Sequence, residues 1–204
     1  MHTLAKLGLT ALSAALLLAA AVSVCSARSL SLSHQTIRVT WSRLDFVTAN
    51  LTTRCQVTLE GSFHSRTVAK VERLLIGSVT SFLMRACTSG AGIQKIAPWH
   101  ITYEGFTGTL PNISAIRILL SRFRFLLVQF GVVCELGNET DNITFSAARG
   151  AGGEVTTLTP VEGRNTAHLS NPAREAFGCA DAKLVGSGDA VALNSTARIT
   201  ITLI

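Results

Sequence analysis

The amino-acid sequence predicts an all-β protein: an antiparallel β-sandwich or small barrel, stapled by disulfides and preceded by an N-terminal signal peptide. Three observations carry this. Beyond residue 27 the chain is rich in Thr, Val and Ile and short of Glu and Lys, a composition that suits a pleated, half-buried surface better than a helix. Its apolar residues recur at every second position over short stretches, which turns one face of each stretch inward. Turn-forming residues punctuate those stretches, and four cysteines follow the leader.

The leader has the three parts of an export signal. Lys6 and the amino terminus supply a positive start, Leu7 to Val24 is a Leu- and Ala-rich apolar run, and Cys25-Ser26-Ala27 places small residues where a signal peptidase reads. Cleavage before Arg28 divides the chain into a signal peptide, residues 1–27, and a single β domain, residues 28–204. Two alternatives stay open at this end. The run is near the lower limit for a membrane anchor, about 18 residues, and Cys25 is a candidate for a lipid at a new N-terminus. The expected address is secreted or cell envelope, with a lipid anchor on Cys25 as its variant. Within the β domain, Arg117, Arg122 and Arg124 interrupt the apolar stretch 115–134, so no transmembrane span is expected there.

The elements follow from alternation. In residues 37–46, Ile37, Val39 and Trp41 share one face, while Leu44 and Phe46 fall on the opposite parity; a bulge is expected near Ser42-Arg43. Residues 55–63 alternate through Cys55, Val57, Leu59 and Phe63, with Gly61 where a bulge would sit. Residues 67–85 fit a helical face through Val68, Val71, Leu74, Leu75, Val79 and Phe82, but Gly77, Thr80 and the β-branched valines favour a strand. A strand begins at Trp99 just after Pro98, an allowed place for proline, and Gly105, Gly108, Pro111 and Asn112 predict a loop after it. Residues 115–134 exceed one ordinary strand and read as a bent strand or two strands joined near Gly131. Residues 146–172 read as loops with one short strand near Val155 to Leu158. The chain closes with a hairpin, turning at Gly186 to Asp189 and at Asn194-Ser195, whose last strand is Ala197 to Ile204.

Cys55, Cys87, Cys134 and Cys179 make an even set in an exported chain, which reads as two disulfides. Three pairings are open; order along the chain alone singles out Cys55–Cys87 with Cys134–Cys179. None of the cysteines has the short spacing of zinc ligands.

No catalytic, cofactor or metal site is predicted. His34, His64, His100 and His168 stand apart from other ligands, and no phosphate loop, nucleophile elbow or dinucleotide fingerprint occurs. Glu60, Glu104 or Glu135 would form a glycosidase-type pair only through folding. The 18 Lys and Arg outnumber 12 Asp and Glu, giving a formal charge of +6. The basic residues are dispersed rather than gathered. Dispersal reads first as an ordinary solvated surface; the competing partner class is cell-envelope polymers or another anionic surface, and no specific nucleic acid is expected. Trp99, His100 and Tyr103 form a candidate recognition strip, Trp and Tyr being rigid contact groups; the competing reading packs their rings in the core. Arg122-Phe123-Arg124-Phe125 is weighed in the same way, as a basic-aromatic stripe or as core phenylalanines between solvated arginines. Asn50, Asn112, Asn138, Asn142 and Asn194 each open a glycosylation sequon and mark surface turns.

Cys55 to His64, Pro98 to Ile101 with Gly105 to Ile113, and Arg198 to Ile204 resemble segments of exported bacterial β-domain proteins of unknown function. The resemblance covers most of the β domain; it implies a disulfide-bearing β domain and carries over no activity. The expectation is a secreted or cell-envelope β-sandwich protein with a binding or structural role. A secreted hydrolase with a fold-assembled carboxylate site and a small β-barrel carrier of an apolar ligand are the alternatives. An outer-membrane barrel fits less well, since four cysteines and 6% aromatic residues do not suit aromatic girdles.

Overall fold

The structure, a computed structural model, describes residues 29–49, 51–94, 99–129, 132–137, 142–161, 179 and 181–204. The leader with Cys25 lies outside these residues, as do Asn50, Pro98, Gly131, Asn138 and His168. Among the described residues fifteen strands follow one another: β1 (Ser29–Leu32), β2 (Thr36–Val47), β3 (Thr52–Phe63), β4 (Thr67–Ala69), β5 (Leu75–Arg85), β6 (Ala91–Gln94), β7 (Trp99–Thr109), β8 (Asn112–Ser121), β9 (Phe125–Gln129), β10 (Val132–Leu136), β11 (Asn142–Arg149), β12 (Val155–Pro160), β13 (Lys183–Val185), β14 (Gly188–Ala192) and β15 (Ile201–Leu203).

Eight of them close a ring. β2, β3, β5, β7, β8, β11, β12 and β14 pair in that order, each pair antiparallel, and β14 returns to β2. Of the two architectures expected, the molecule is the barrel. The ring exists because the inward face of each strand is apolar and the outward face is not. On β3, Cys55, Val57 and Leu59 are buried while Arg54 and Gln56 are exposed. On β2 the buried set Ile37, Val39 and Trp41 resumes at Leu44 and Phe46, because the register slips between Trp41 and Leu44. A second slip falls between Glu60 and Gly61. The first bulge sits where the parity of the sequence places it; at the second, the β3 alternation runs on through Gly61 and the unpaired residue is Thr80 of β5.

Two small sheets close the ends. At one end, β15-β1-β4 sets Leu30, Leu32, Val68 and Ile201 over the lumen residues Ile37, Tyr103 and Leu158. Arg149 ties this cap to the ring, donating from Nε to the Ile201 carbonyl (2.9 Å) and from Nη1 to the Ile113 carbonyl (3.2 Å). At the other end, the β10-β9-β6 sheet and the turn before it bring Phe123, Leu127 and Leu136 into the core. Phe123 meets Trp99 edge-on, with 5.9 Å between ring centroids.

The disulfides are Cys55–Cys87 and Cys134–Cys179, the pairing that chain order singles out. They close spans of 32 and 45 residues. Loops of that length constrain the unfolded chain by about 4 kcal/mol each.

Five expectations are corrected. Residues 105–109 continue β7 instead of forming a loop; Gly105 and Gly108 (φ +96°) absorb two bulges, conformations glycine adopts without a Cβ clash. The stretch 115–134 breaks first at Arg122, which stands at φ +61° between β8 and β9. Residues 146–149 belong to β11, where small side chains such as Ala147 fit the wall. The final strand is only Ile201–Leu203 and pairs with β1, not with β14. Gly188 opens β14 rather than a turn. Residues 67–85 are β4 and β5 joined by a turn, the strand alternative.

Gly188 tests the packing of the wall against Trp41. A Cβ at Gly188 would lie 2.6 Å from Cε2 of the Trp41 indole, which is held in the core. Gly188→Ala is expected to cost about 2 kcal/mol, lowering Tm by ~4–8 °C. At Gly152 a Cβ meets only the movable end of Glu154 (Oε2, 2.7 Å), so Gly152→Ala should stay within about 0.5 kcal/mol. Thermal circular dichroism of both variants checks this, and equal melting points would contradict it.

Candidate functional site

A barrel offers a ligand two places, its lumen and its outside. An eight-stranded ring is just wide enough for side chains to fill, and this one is filled. Beneath the β15-β1-β4 cap is a cavity of about 40 Å³ whose lining side chains include Leu30, Phe63, Ile76, Ile116 and Ile199. In the other half is a cavity of about 30 Å³ walled by residues such as Trp41, Phe46, Val57, Phe82 and Phe145. Ligand pockets usually run to about 300–1,000 Å³. No carboxylate, histidine or hydroxyl lines either space except the phenol of Tyr103.

The candidate strip divides between the two faces of β7. Trp99 and Tyr103 turn inward and are 4% and 3% exposed, while His100 is half-buried between them on the other parity. Trp99 packs on Phe82 with ring centroids 4.9 Å apart, a tilted arrangement that aromatic quadrupoles favour. The three side chains thus share no single surface. Phe123 is buried, Arg122 is exposed, and Arg124 forms an ion pair with Glu135.

The carboxylates proposed for folding into a pair stand on separate strands: Glu60 on β3, Glu104 on β7 and Glu135 on β10. Glu60 accepts from Arg38 at 2.8 Å on the outer wall. Asp45 is gripped by both Nε and Nη2 of Arg43 (3.0 and 2.9 Å). Those hydrogen bonds hold its carboxyl below the usual carboxylate range against the opposing effect of partial burial. Such pairs tidy an exposed wall and each contributes about 0–1 kcal/mol. Among the described residues no group of three His, Cys, Asp or Glu is placed to hold a metal ion. Of the sequon asparagines, Asn112 and Asn194 are exposed at turns, and Asn142 is half-buried at the start of β11.

The outside carries a feature that alternation does not reveal. At the capped end, the turn between β4 and β5 exposes Val71, Leu74 and Leu75, and the β7–β8 tip exposes Leu110. In the sequence Val71, Leu74 and Leu75 read as part of an apolar face. Only the turn Val71 to Leu74, closed by the Leu74 N–H on the Val71 carbonyl at 3.1 Å, turns them outward. Arg66 and Arg73 are exposed beside them, and Lys70 is half-buried.

Comparison with family models, with curated proteins and with solved structures returned no match.

Tyr103 gives the lumen a spectroscopic reporter, being the chain's single tyrosine. Burial pushes its phenol above the ordinary value of 10.0, with Arg117 opposing. The folded pKa exceeds the unfolded one, so the neutral ring's contribution to stability is complete below about pH 10 and is lost as pH rises toward the folded pKa. Absorbance at 295 nm should show tyrosinate appearing at higher pH in the native protein than in urea. Tyr103→Phe should remove the signal and flatten the alkaline loss of stability. Coincident native and unfolded titrations would contradict a buried phenol.

Proposed function

We propose that the protein is an exported, cell-envelope binding or structural module that works from the outside of a filled barrel, toward an anionic partner. The observation that carries this reading is the lumen: two apolar cavities of about 40 and 30 Å³ leave recognition to the outer surface. Two disulfides support an oxidising compartment. The excess of 18 basic over 12 acidic residues supports the sign of the partner, because a positive surface raises the local concentration of anions. A role as carrier of an apolar ligand has one observation in its favour, the wholly hydrocarbon character of most of the capped cavity. That role requires the cap to lift, and the Arg149 hydrogen bonds oppose lifting.

Retention on an immobilised polyanion tests the reading. The exported protein should bind in about 20 mM salt and elute well below about 0.5 M, where exposed charges are screened within a few ångströms. Passage without retention at low salt would contradict it.

A further inference from the structure

We propose that the rim around the capped end is a docking surface for an anionic lipid bilayer, with the β4–β5 turn as its inserting edge; this rests on the outward-binding reading above. Eight large apolar side chains are exposed among the described residues, and five of them stand at this end: Val71 (56%), Leu74 (41%), Leu75 (42%), Leu110 (50%) and Ile204 (56%). Their neighbours show that they share one rim. The Arg73 N–H donates to the Tyr103 carbonyl at 2.6 Å and the Tyr103 N–H to the Leu74 carbonyl at 3.0 Å, strapping the turn to β7. Lys70 Nζ sits 6.0 Å from the centre of the Phe106 ring on the same strand, and Leu110 is at that strand's tip. Ile204 exchanges backbone hydrogen bonds with Ser29, and Ser29 pairs with Ala69 beside the turn.

The charge is of the right sign. Arg66, Lys70 and Arg73 surround the turn, against Glu72 within it. Apolar tips ringed by Lys and Arg are the pattern of an interfacial membrane contact, where hydrocarbon burial and attraction to anionic headgroups add.

Chain continuity points to the same end. Ser29 opens β1 at this rim, so residue 28 joins the barrel here, and Cys25 and the apolar run precede it by a few residues. Held by the leader, the barrel meets the membrane rim-first. Released from it, the rim supplies a reversible contact of its own.

Flotation of the exported full chain with vesicles tests this. Vesicles of phosphatidylcholine with about 30% phosphatidylglycerol should carry the protein, and pure phosphatidylcholine should carry markedly less. The double variant Val71→Asp/Leu74→Asp should lose at least about tenfold in partitioning, while Leu83→Asp, on the wall of β5 away from the rim, should not. Lys70→Glu/Arg73→Glu should remove the dependence on anionic lipid. All the substituted positions except Lys70 are exposed, and an unchanged Tm identifies variants that keep the fold. Equal partitioning of the rim and Leu83 variants overturns the proposal, as does failure of the parent chain to float. In the latter case, retention on the polyanion column leaves the outward-binding reading standing, whereas loss of both removes both.

Discussion

The structure depends on β2. Its length lets it pair with β3 along one edge while the other edge is shared, Ile37 to Thr40 with β14 and Asp45 to Val47 with β13. The bulge at Ser42-Arg43 makes this possible. It adds twist and turns Leu44 and Phe46 back to the inside after Trp41. Without that closure the eight strands would be an open sheet with two long unpaired edges, a template for pairing with other chains. With it, the backbone hydrogen bonds of the wall are satisfied within the ring and the interior must be filled by side chains.

How the interior is filled explains which expectations hold. Period-two alternation was legible wherever a strand has one dry and one wet face, as in β2 and β3, and the β2 bulge showed as a parity slip after Trp41, whereas the slip opposite Gly61 lies on β5 at Thr80. It was misleading where glycine stands inside a strand. Gly105 and Gly108 are ordinary turn signals, yet the β7–β8 hairpin extends past them because each stands beside a bulge, whose unpaired residue is Glu104 on β7 or Ser114 on β8. The caps were not legible at all. β1, β4 and β15 are three or four residues long, and their pairing joins the two extremes of the described chain, which no local pattern encodes. Arg149, which fastens that cap through two carbonyls, looks in sequence like any exposed arginine. Of the three open disulfide pairings, the structure has the one that pairs the cysteines in chain order.

The candidate site shows the same division. Trp99, which suggests recognition in sequence, is part of the filling of the lower lumen, packed against Phe82 and Phe123, as Trp41 is against Phe145. Apolar groups that suggest core, Val71 and Leu74, are outside. The barrel is apolar within and polar along its walls, the reverse of a lipid-facing transmembrane barrel. Its contact with a membrane, on the reading proposed here, is end-on. Filling the lumen and dressing one rim are complementary consequences of closing a ring this small.

The central claim, a closed barrel with a dry and filled lumen, is tested most directly by its two tryptophans, since Trp41 and Trp99 are the only ones in the chain and are 1% and 4% exposed. Iodide quenching of the native protein should be almost nil, with emission shifted to the blue, and should rise to that of free indole only on unfolding. Quenching of the native protein comparable to that of the unfolded chain would mean an open, wet interior and would contradict the account.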